Sequence, residues 1–430
     1  MRAVAIHTAC ILIAAAAWPG DAAEILSAAH ASIRAADAGR HVATLADDAF
    51  EGREGGSRGG RAAAGYILEE IEKIRAGAAD FVPAGDDGSC LQAFGGMRNI
   101  LVLLPGSDPT VADELVVLGA HYDHVGYGNA QNSFGPFGFV HNGADDNASG
   151  VAGLLEIMEA VPRLPQRPRR PILFACWDGE EKGLLGSHHF LRVRPAAVAA
   201  KKIVFSVNLD MIGRLRGGRL EVYGSRTSPG LRAAVVLANN APGNAAGLEL
   251  AFDWDIEDDS DHYPFIAARI PTVMFHTGLH DQYHRPADDA HLVNLEGIEP
   301  VARLALGFVA AIADDPGPPR PFRPECRVES NATRRRLEAV LQHPARDRGR
   351  WGIGTREDGG DKTAPVVVRV AAGSPAQAGG LLPGDRIVAI DGTPLADQAD
   401  MVARLGAAGE QVVIDADRRG RFVQLRLSAR

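Results

Sequence analysis

Cysteine is scarce in this chain, with four in 430 residues: Cys10, Cys90, Cys176 and Cys326. No CxxC pair and no zinc-finger spacing occurs, which excludes a zinc-finger module. Beyond the N-terminal stretch three cysteines remain, so they cannot all pair with one another. A Cys90–Cys326 bridge stays open, while Cys176 lies inside the apolar run ILFACW and reads as a free buried thiol. Positive charge is short as well. Against 54 Asp and Glu stand 45 Lys and Arg, a net charge of -9, and no basic segment stands out. That balance excludes a general nucleic-acid binder. Internal repeats and low-complexity tracts are missing, and beyond the first residues no apolar run is long enough to cross a membrane.

What is present begins with a stretch that reads as an export signal. Arg2 precedes an apolar stretch from Ala3 to Trp18, followed by small residues from Gly20 to Ala23. Residues 1–23 are expected to be a cleaved signal peptide, leaving an exported, periplasmic or secreted product with no stable membrane insertion. Cys10 sits within the apolar run rather than at its end, so no lipoprotein anchor is expected.

Further on, apolar runs that end in polar residues alternate with amphipathic stretches. The segment RAAAGYILEEIEKIR (61–75) carries Tyr66, Ile67, Ile71 and Ile74 at helical spacing. NILVLL (99–104), LVVLGAH (115–121), ILFACW (172–177), IVFSVNL (203–209) and TVMFH (272–276) read as strands. SGVAGLLEIMEA (149–160) and GIEPVARLALGFVAAIA (297–313) read as helices. This order predicts an α/β domain with a mostly parallel central sheet flanked by helices. Near-continuous apolar strands fit a sheet buried on both faces. Functional groups in such folds gather at the carboxyl ends of the strands, and acids and imidazoles stand there in this sequence.

Those clusters are HYDH (121–124), GADDNASG (143–150), WDGEEKG (177–183), NLDMIG (208–213) and DQYHRPADD (281–289). Zinc takes neutral imidazole and carboxylate oxygen, and a two-ion site needs about five protein ligands if one carboxylate bridges. Taken singly, EE is usually a solvated helix face and DD a loop or cap. Together, in this order, the motifs of residues 40–313 resemble the co-catalytic di-zinc aminopeptidases of the bacterial aminopeptidase and aminopeptidase S type. Relatives of that family include glutamate carboxypeptidase II and the glutaminyl cyclases. The resemblance implies the zinc exopeptidase fold and two Zn2+ per chain, with Mn2+ or Co2+ as substitutes. It implies His121 and Asp210 on one ion, Glu181 and His284 on the other, and Asp146 bridging. Asp123 would orient the His121 ring. Glu180 would be the general base toward a zinc-activated water, so that the N-terminal peptide bond of a peptide with a free N-terminus is hydrolysed.

The chain changes character after Ala313. DDPGPPRPFRPEC is rich in proline and polar residues, and residues 326–344 are expected to link a peptidase domain (24–325) to a separate unit (345–430). In the latter, SPAQAGGLLPGDRIVAIDG (374–392) resembles a PDZ domain of the bacterial protease type. Trp351, Gly352, Ile353 and Gly354 would then form the loop whose N–H groups hold the carboxylate of a C-terminal peptide ligand. Two other readings stay open. One is a carboxypeptidase or aminoacyl amide hydrolase on the same fold, marked by arginines for a substrate carboxylate. The other is a non-catalytic periplasmic adaptor using the PDZ domain.

Overall fold

In the strand Glu114–His121, alternate residues serve two different cores. Val116 and Leu118 join one apolar cluster, Leu115 and Val117 another. The same division runs through Ile172–Trp177, where Ile172, Phe174 and Cys176 face one side and Leu173, Ala175 and Trp177 the other. A period-two backbone with apolar side chains on both faces must be covered on both, which is why these runs do not alternate with polar residues. This is a computed structural model describing residues 28–78, 80–241, 247–339 and 349–429. The expected signal peptide lies outside the described residues.

The first sheet has nine strands: β1 (Val82–Pro83), β2 (Leu91–Phe94), β3 (Met97–Leu104), β4 (Glu114–His121), β5 (Ile172–Trp177), β6 (Lys202–Leu209), β7 (Arg219–Tyr223), β8 (Glu249–Phe252) and β9 (Thr272–His276). Their order is β1-β3-β5-β4-β6-β9-β7-β8, with β2 paired to β3. The central strands β5, β4, β6 and β9 run parallel. The sheet turns antiparallel at β3 against β5 and at β7 against β9, so it is mixed. One face is covered by α1 (Ala35–Leu45), α2 (Arg58–Gly77), α3 (Gly150–Ala160), α5 (Leu231–Asn239) and α6 (Leu295–Asp314). The other carries α4 (Leu185–Arg192), whose Phe190 meets Trp177, and the turn of helix with Phe265. No helix among the described residues is long and apolar enough to cross a membrane.

The second sheet comprises β10 (Ile353–Asp358), β11 (Asp361–Val370), β12 (Arg386–Ile390), β13 (Thr393–Pro394), β14 (Gln411–Arg418) and β15 (Arg421–Ser428). With α7 (Gln398–Ala407) it closes its own core around Trp351, Ile387, Leu405, Ile414 and Leu427. It is nevertheless joined to the first unit. The tip of the β14–β15 hairpin caps the outer strand β8, where Leu250 N–H donates to Gly420 O at 2.9 Å. Gly420 has φ +87, and a Cβ there would lie 1.9 Å from Leu250 O, so the position needs glycine. Covering an open strand edge in this way removes a site of unwanted pairing. Residues 326–339 of the expected linker are ordered on the first unit: Asn331–Ala339 is helical, and Asn331 Nδ2 donates to Asp253 and Asp255. Cys90, Cys176 and Cys326 are all free and buried, so the Cys90–Cys326 bridge left open by the sequence is not formed.

Candidate metal centre

Four of the five candidate ligands lie at or beyond the carboxyl end of a central strand. His121 closes β4, Glu181 follows β5, Asp210 follows β6, and His284 lies on the loop after β9. Asp146 comes from the turn that leads into α3. Gly143, with φ +55, makes that turn possible, since a Cβ would meet Asp146 O at 2.1 Å and the His124 ring at 2.5 Å. Asp288 holds the turn from outside: its Oδ2 accepts the N–H of Asp145 (2.9 Å) and of Asp146 (3.1 Å). Asp145 points away and accepts Gly213 N–H at 2.6 Å.

Two triads share Asp146. Its Oδ1 lies 3.3 Å from His121 Nε2, which lies 3.3 Å from Asp210 Oδ1. Its Oδ2 lies 3.1 Å from His284 Nε2, which lies 3.1 Å from Glu181 Oε2. Donor atoms bound tetrahedrally to zinc at about 2.0–2.1 Å stand roughly 3.3 Å apart. The imidazole and carboxylate donors therefore fit two zinc ions by type and by spacing, with Asp146 between them.

The second oxygen of each terminal carboxylate has its own partner. Ser260 Oγ donates to Asp210 Oδ2. His124 Nδ1 lies 2.8 Å from Glu181 Oε1, a hydrogen-bond distance rather than a ligand–ligand spacing. His124 is fully buried and belongs to the same cluster of donors. Asp123 approaches His121 in two ways, its backbone oxygen 3.2 Å and its carboxylate 3.8 Å from Nδ1. The carboxylate also accepts the Glu180 N–H at 3.0 Å, tying the two residues together.

The electrostatics are those of a buried acidic cage. Burial opposes charge on His121 and His284, but the surrounding carboxylates prevail. They raise His121 well above the ordinary range and His284 to about 10. Burial likewise opposes ionisation of Asp146, yet His124, His121 and His284 hold it well below the usual range. A metal ion bound by these imidazoles takes them neutral, so its binding would release any proton they carry. Glu180 is pushed well above its usual range by burial, reinforced by Glu181, Asp261 and Asp210. Cations in the cage would act in the opposite direction.

Three contributors were not assigned from sequence. Arg53, entirely buried, donates to Tyr122 O, Leu45 O, Asn142 O and Gly143 O at 2.6–2.9 Å. It thereby clamps the loops of His121 and Asp146 together. Ser260 and Asp288 are the others. Their motifs, EGREGG, DSDH and PADD, are visible in the sequence, but only the fold reveals which backbone each one meets. The PDZ residues are far from this cluster in sequence. Trp351 is buried with its indole N–H donating to Leu405 O at 2.8 Å. Gly352 N–H donates to Gly349 O, Ile353 opens β10, and Gly354 pairs with Arg369.

The doubly covered α/β sheet thus carries, at the carboxyl edge of its strands, a buried imidazole–carboxylate cage with the donor types of a metal site. Residues 99–309 match the family model of Peptidase family M28, and residues 366–418 match that of a PDZ domain. Residues 99–309 thus form an M28 peptidase domain, which a PDZ domain follows in the chain. Leupeptin-inactivating enzyme 1 of Streptomyces exfoliatus is 30% identical over 239 residues, covering 55% of this chain and 47% of that protein. The chain thus spans about half the length of that curated relative. Among solved structures, the LapA aminopeptidase of Legionella pneumophila has 18% identity and a TM-score of 0.56, covering 68% of this chain and 75% of that one. Porphyromonas gingivalis glutaminyl cyclase has 23% identity and a TM-score of 0.50, covering 64% and 97%. At these identities the two structures are alike in fold.

Proposed function

We propose that this protein is an exported two-zinc aminopeptidase that removes the first residue of peptides with a free N-terminus. The observation that carries the reading is Asp146, shared by two triads whose donor types and spacings suit two zinc ions. The centre would be held by His121 and Asp210 on one side and Glu181 and His284 on the other. Zinc, when bound, lowers the pKa of water toward about 7 and polarises a carbonyl. Glu180, whose backbone is fixed by Asp123, accepts a proton from the attacking water and returns it to the leaving amine. The buried carboxylates around it, Asp261 among them, suit the positive charge of a free α-amine. Tyr283 stacks on His284 with ring centroids 3.9 Å apart, where its hydroxyl can serve a developing oxyanion.

Arginines flanking the cage speak against a site for a substrate carboxylate. Arg53 is engaged by carbonyl oxygens, Arg214 by Asp288 at 2.8 Å, and Arg216 by the carbonyls of Thr277, Gly278 and Leu279. An aminopeptidase is therefore favoured over a carboxypeptidase. The PDZ unit is proposed to bind extended peptide along the edge strand β10, beside α7.

The test is release of p-nitroaniline from aminoacyl p-nitroanilides, with N-acetylated controls, chelated enzyme, zinc restoration and Glu180→Gln. Cleavage restricted to free-amine substrates, abolished by chelation or by the variant and restored by zinc, is expected. A zinc-loaded enzyme inert toward the whole panel would overturn the reading.

A further inference from the structure

Every exposed phenylalanine among the described residues lies on one loop. Phe134, Phe137 and Phe139 are 63%, 52% and 60% exposed, while the remaining phenylalanines are buried or half-buried. The loop, residues 125–141, begins directly after His124 and ends just before the turn that carries Asp146. Both of its ends are thus set in the metal cage. Its middle is pinned to a third cage residue: Ser133 Oγ and Phe134 N–H both donate to His284 O, at 2.9 and 3.1 Å. The Arg285 guanidinium donates to the carbonyls of Phe134 and Gly135 at 2.8 and 3.1 Å. The Phe134 ring stands 6.4 Å from the His284 ring and 6.2 Å from Tyr283. His141 and Ser133 close the loop on itself, with Nε2 and Oγ 2.6 Å apart.

This is a braced loop whose Phe134 ring lies beside the cage and whose Phe137 and Phe139 side chains stand in water a few residues further on. Clustered exposed apolar surface of this kind marks an interaction site, and rigid aromatics lose little entropy on binding. The loop VGYGNAQNSFGPFGFVH contains no Asp, Glu, Lys or Arg. It therefore offers nothing to attract an anionic membrane surface. Leu279, 63% exposed on the segment leading to His284, extends the apolar surface from a second loop.

We infer that the loop is a substrate-gripping rim that selects peptides with bulky apolar residues next to their N-terminal residue. The inference rests on the aminopeptidase reading and adds the class of peptide the site takes. The experiment uses two free-amine peptide series, both beginning with alanine and followed either by leucine and phenylalanine or by serine. Wild type is compared with Phe137→Ser/Phe139→Ser, which spares Phe134 on the cage, and with Phe137→Leu/Phe139→Leu. The quantity read is the ratio of kcat/KM between the series, so a general loss of activity cancels. Wild type should favour the apolar series by about tenfold or more. The serine variant should lose that preference and the leucine variant should keep most of it.

Equal kcat/KM for both series in wild type, or an unchanged ratio in the serine variant, would overturn the inference. A wild type that cleaves neither these peptides nor any aminoacyl p-nitroanilide would refute the aminopeptidase reading instead. The rim is then judged by fluorescence anisotropy of labelled peptides. Tighter binding of the apolar peptide, lost in the serine variant, supports it, and equal binding of both peptides overturns it. A concentration-dependent dimer abolished by the serine variant would assign the loop to a second copy and also overturn it.

Discussion

His124 Nδ1 stands 2.8 Å from Glu181 Oε1, while Glu181 Oε2, on the other side of the same carboxylate, stands 3.1 Å from His284 Nε2. One oxygen is held by a hydrogen bond and the other faces the donors gathered around Asp146. Fixing the free oxygen in this way keeps a carboxylate ligand in one orientation. His124→Ala should weaken zinc binding to the Glu181–His284 side by about 10–100-fold, read by competition with a chromogenic chelator. His124→Asn, whose amide N–H can reach the same oxygen, should recover most of the loss. Failure of asparagine to rescue would make His124 a ligand in its own right.

Arg53 fills a buried position with donors to four backbone carbonyls from three separate segments. Burial lowers its pKa to about 10, opposed by Asp146, Asp288, Asp123 and Glu181, so it remains charged at neutral pH. Arg53→Met should cost about 3 kcal/mol or more, because the carbonyls lose their partners. Urea denaturation measures the change, and an effect below about 1 kcal/mol would show that the clamp is dispensable.

Asp358 in the PDZ unit meets Arg226 of the peptidase domain at 3.1 Å and Arg386 of its own domain at 3.1 Å. Arg226 also pairs with Glu329 at 2.6 Å and lies 3.8 Å over the Trp254 ring. Removing one member of a buried ion network leaves its partners uncompensated, at a cost of about 3–5 kcal/mol. Asp358→Ala should lower the thermal midpoint and separate the unfolding of the two units in calorimetry. A midpoint unchanged from wild type would contradict the described interface.

Glu156 of α3 and His41 of α1 form a buried pair, with Oε1 and Nε2 4.0 Å apart. Burial raises Glu156 from 4.5 to about 7 and lowers His41 from 6.5 to about 4. The folded protein holds the Glu156 proton more tightly than the unfolded chain, so this contribution falls as pH rises from 4.5 to about 7. For His41 the unfolded chain takes the proton first, so stability is lost as pH drops from 6.5 to about 4. The two slopes oppose one another. Glu156→Gln removes one of them, and the variant should lose thermal stability more steeply than wild type between about pH 7 and pH 5. Identical slopes would refute the opposition.

The strands that carry the ligands were legible because a doubly buried strand is a continuous apolar run, as in LVVLGAH and ILFACW. β7 and β8 were not read, since Arg219–Tyr223 and Glu249–Phe252 are short and lie at or near the sheet margin. The helix at Asn331–Ala339 was hidden behind a proline-rich stretch whose composition matches a linker. Its order depends on Asn331 bonding to Asp253 and Asp255, residues distant in the chain.

By itself the sequence determined the donor types and their placement at strand ends, because both follow from local pattern and from the order of motifs. Which carboxylate oxygen faces which imidazole was decided only by tertiary structure. The spacing of Asp146 from His121 and His284 depends on Gly143, Arg53 and Asp288, which bring separate loops to within hydrogen-bonding distance. Local pattern can say that a residue is polar and follows a strand. It cannot say that His124 meets Glu181, 57 residues further along, because that contact is made by the parallel register of β4 against β5.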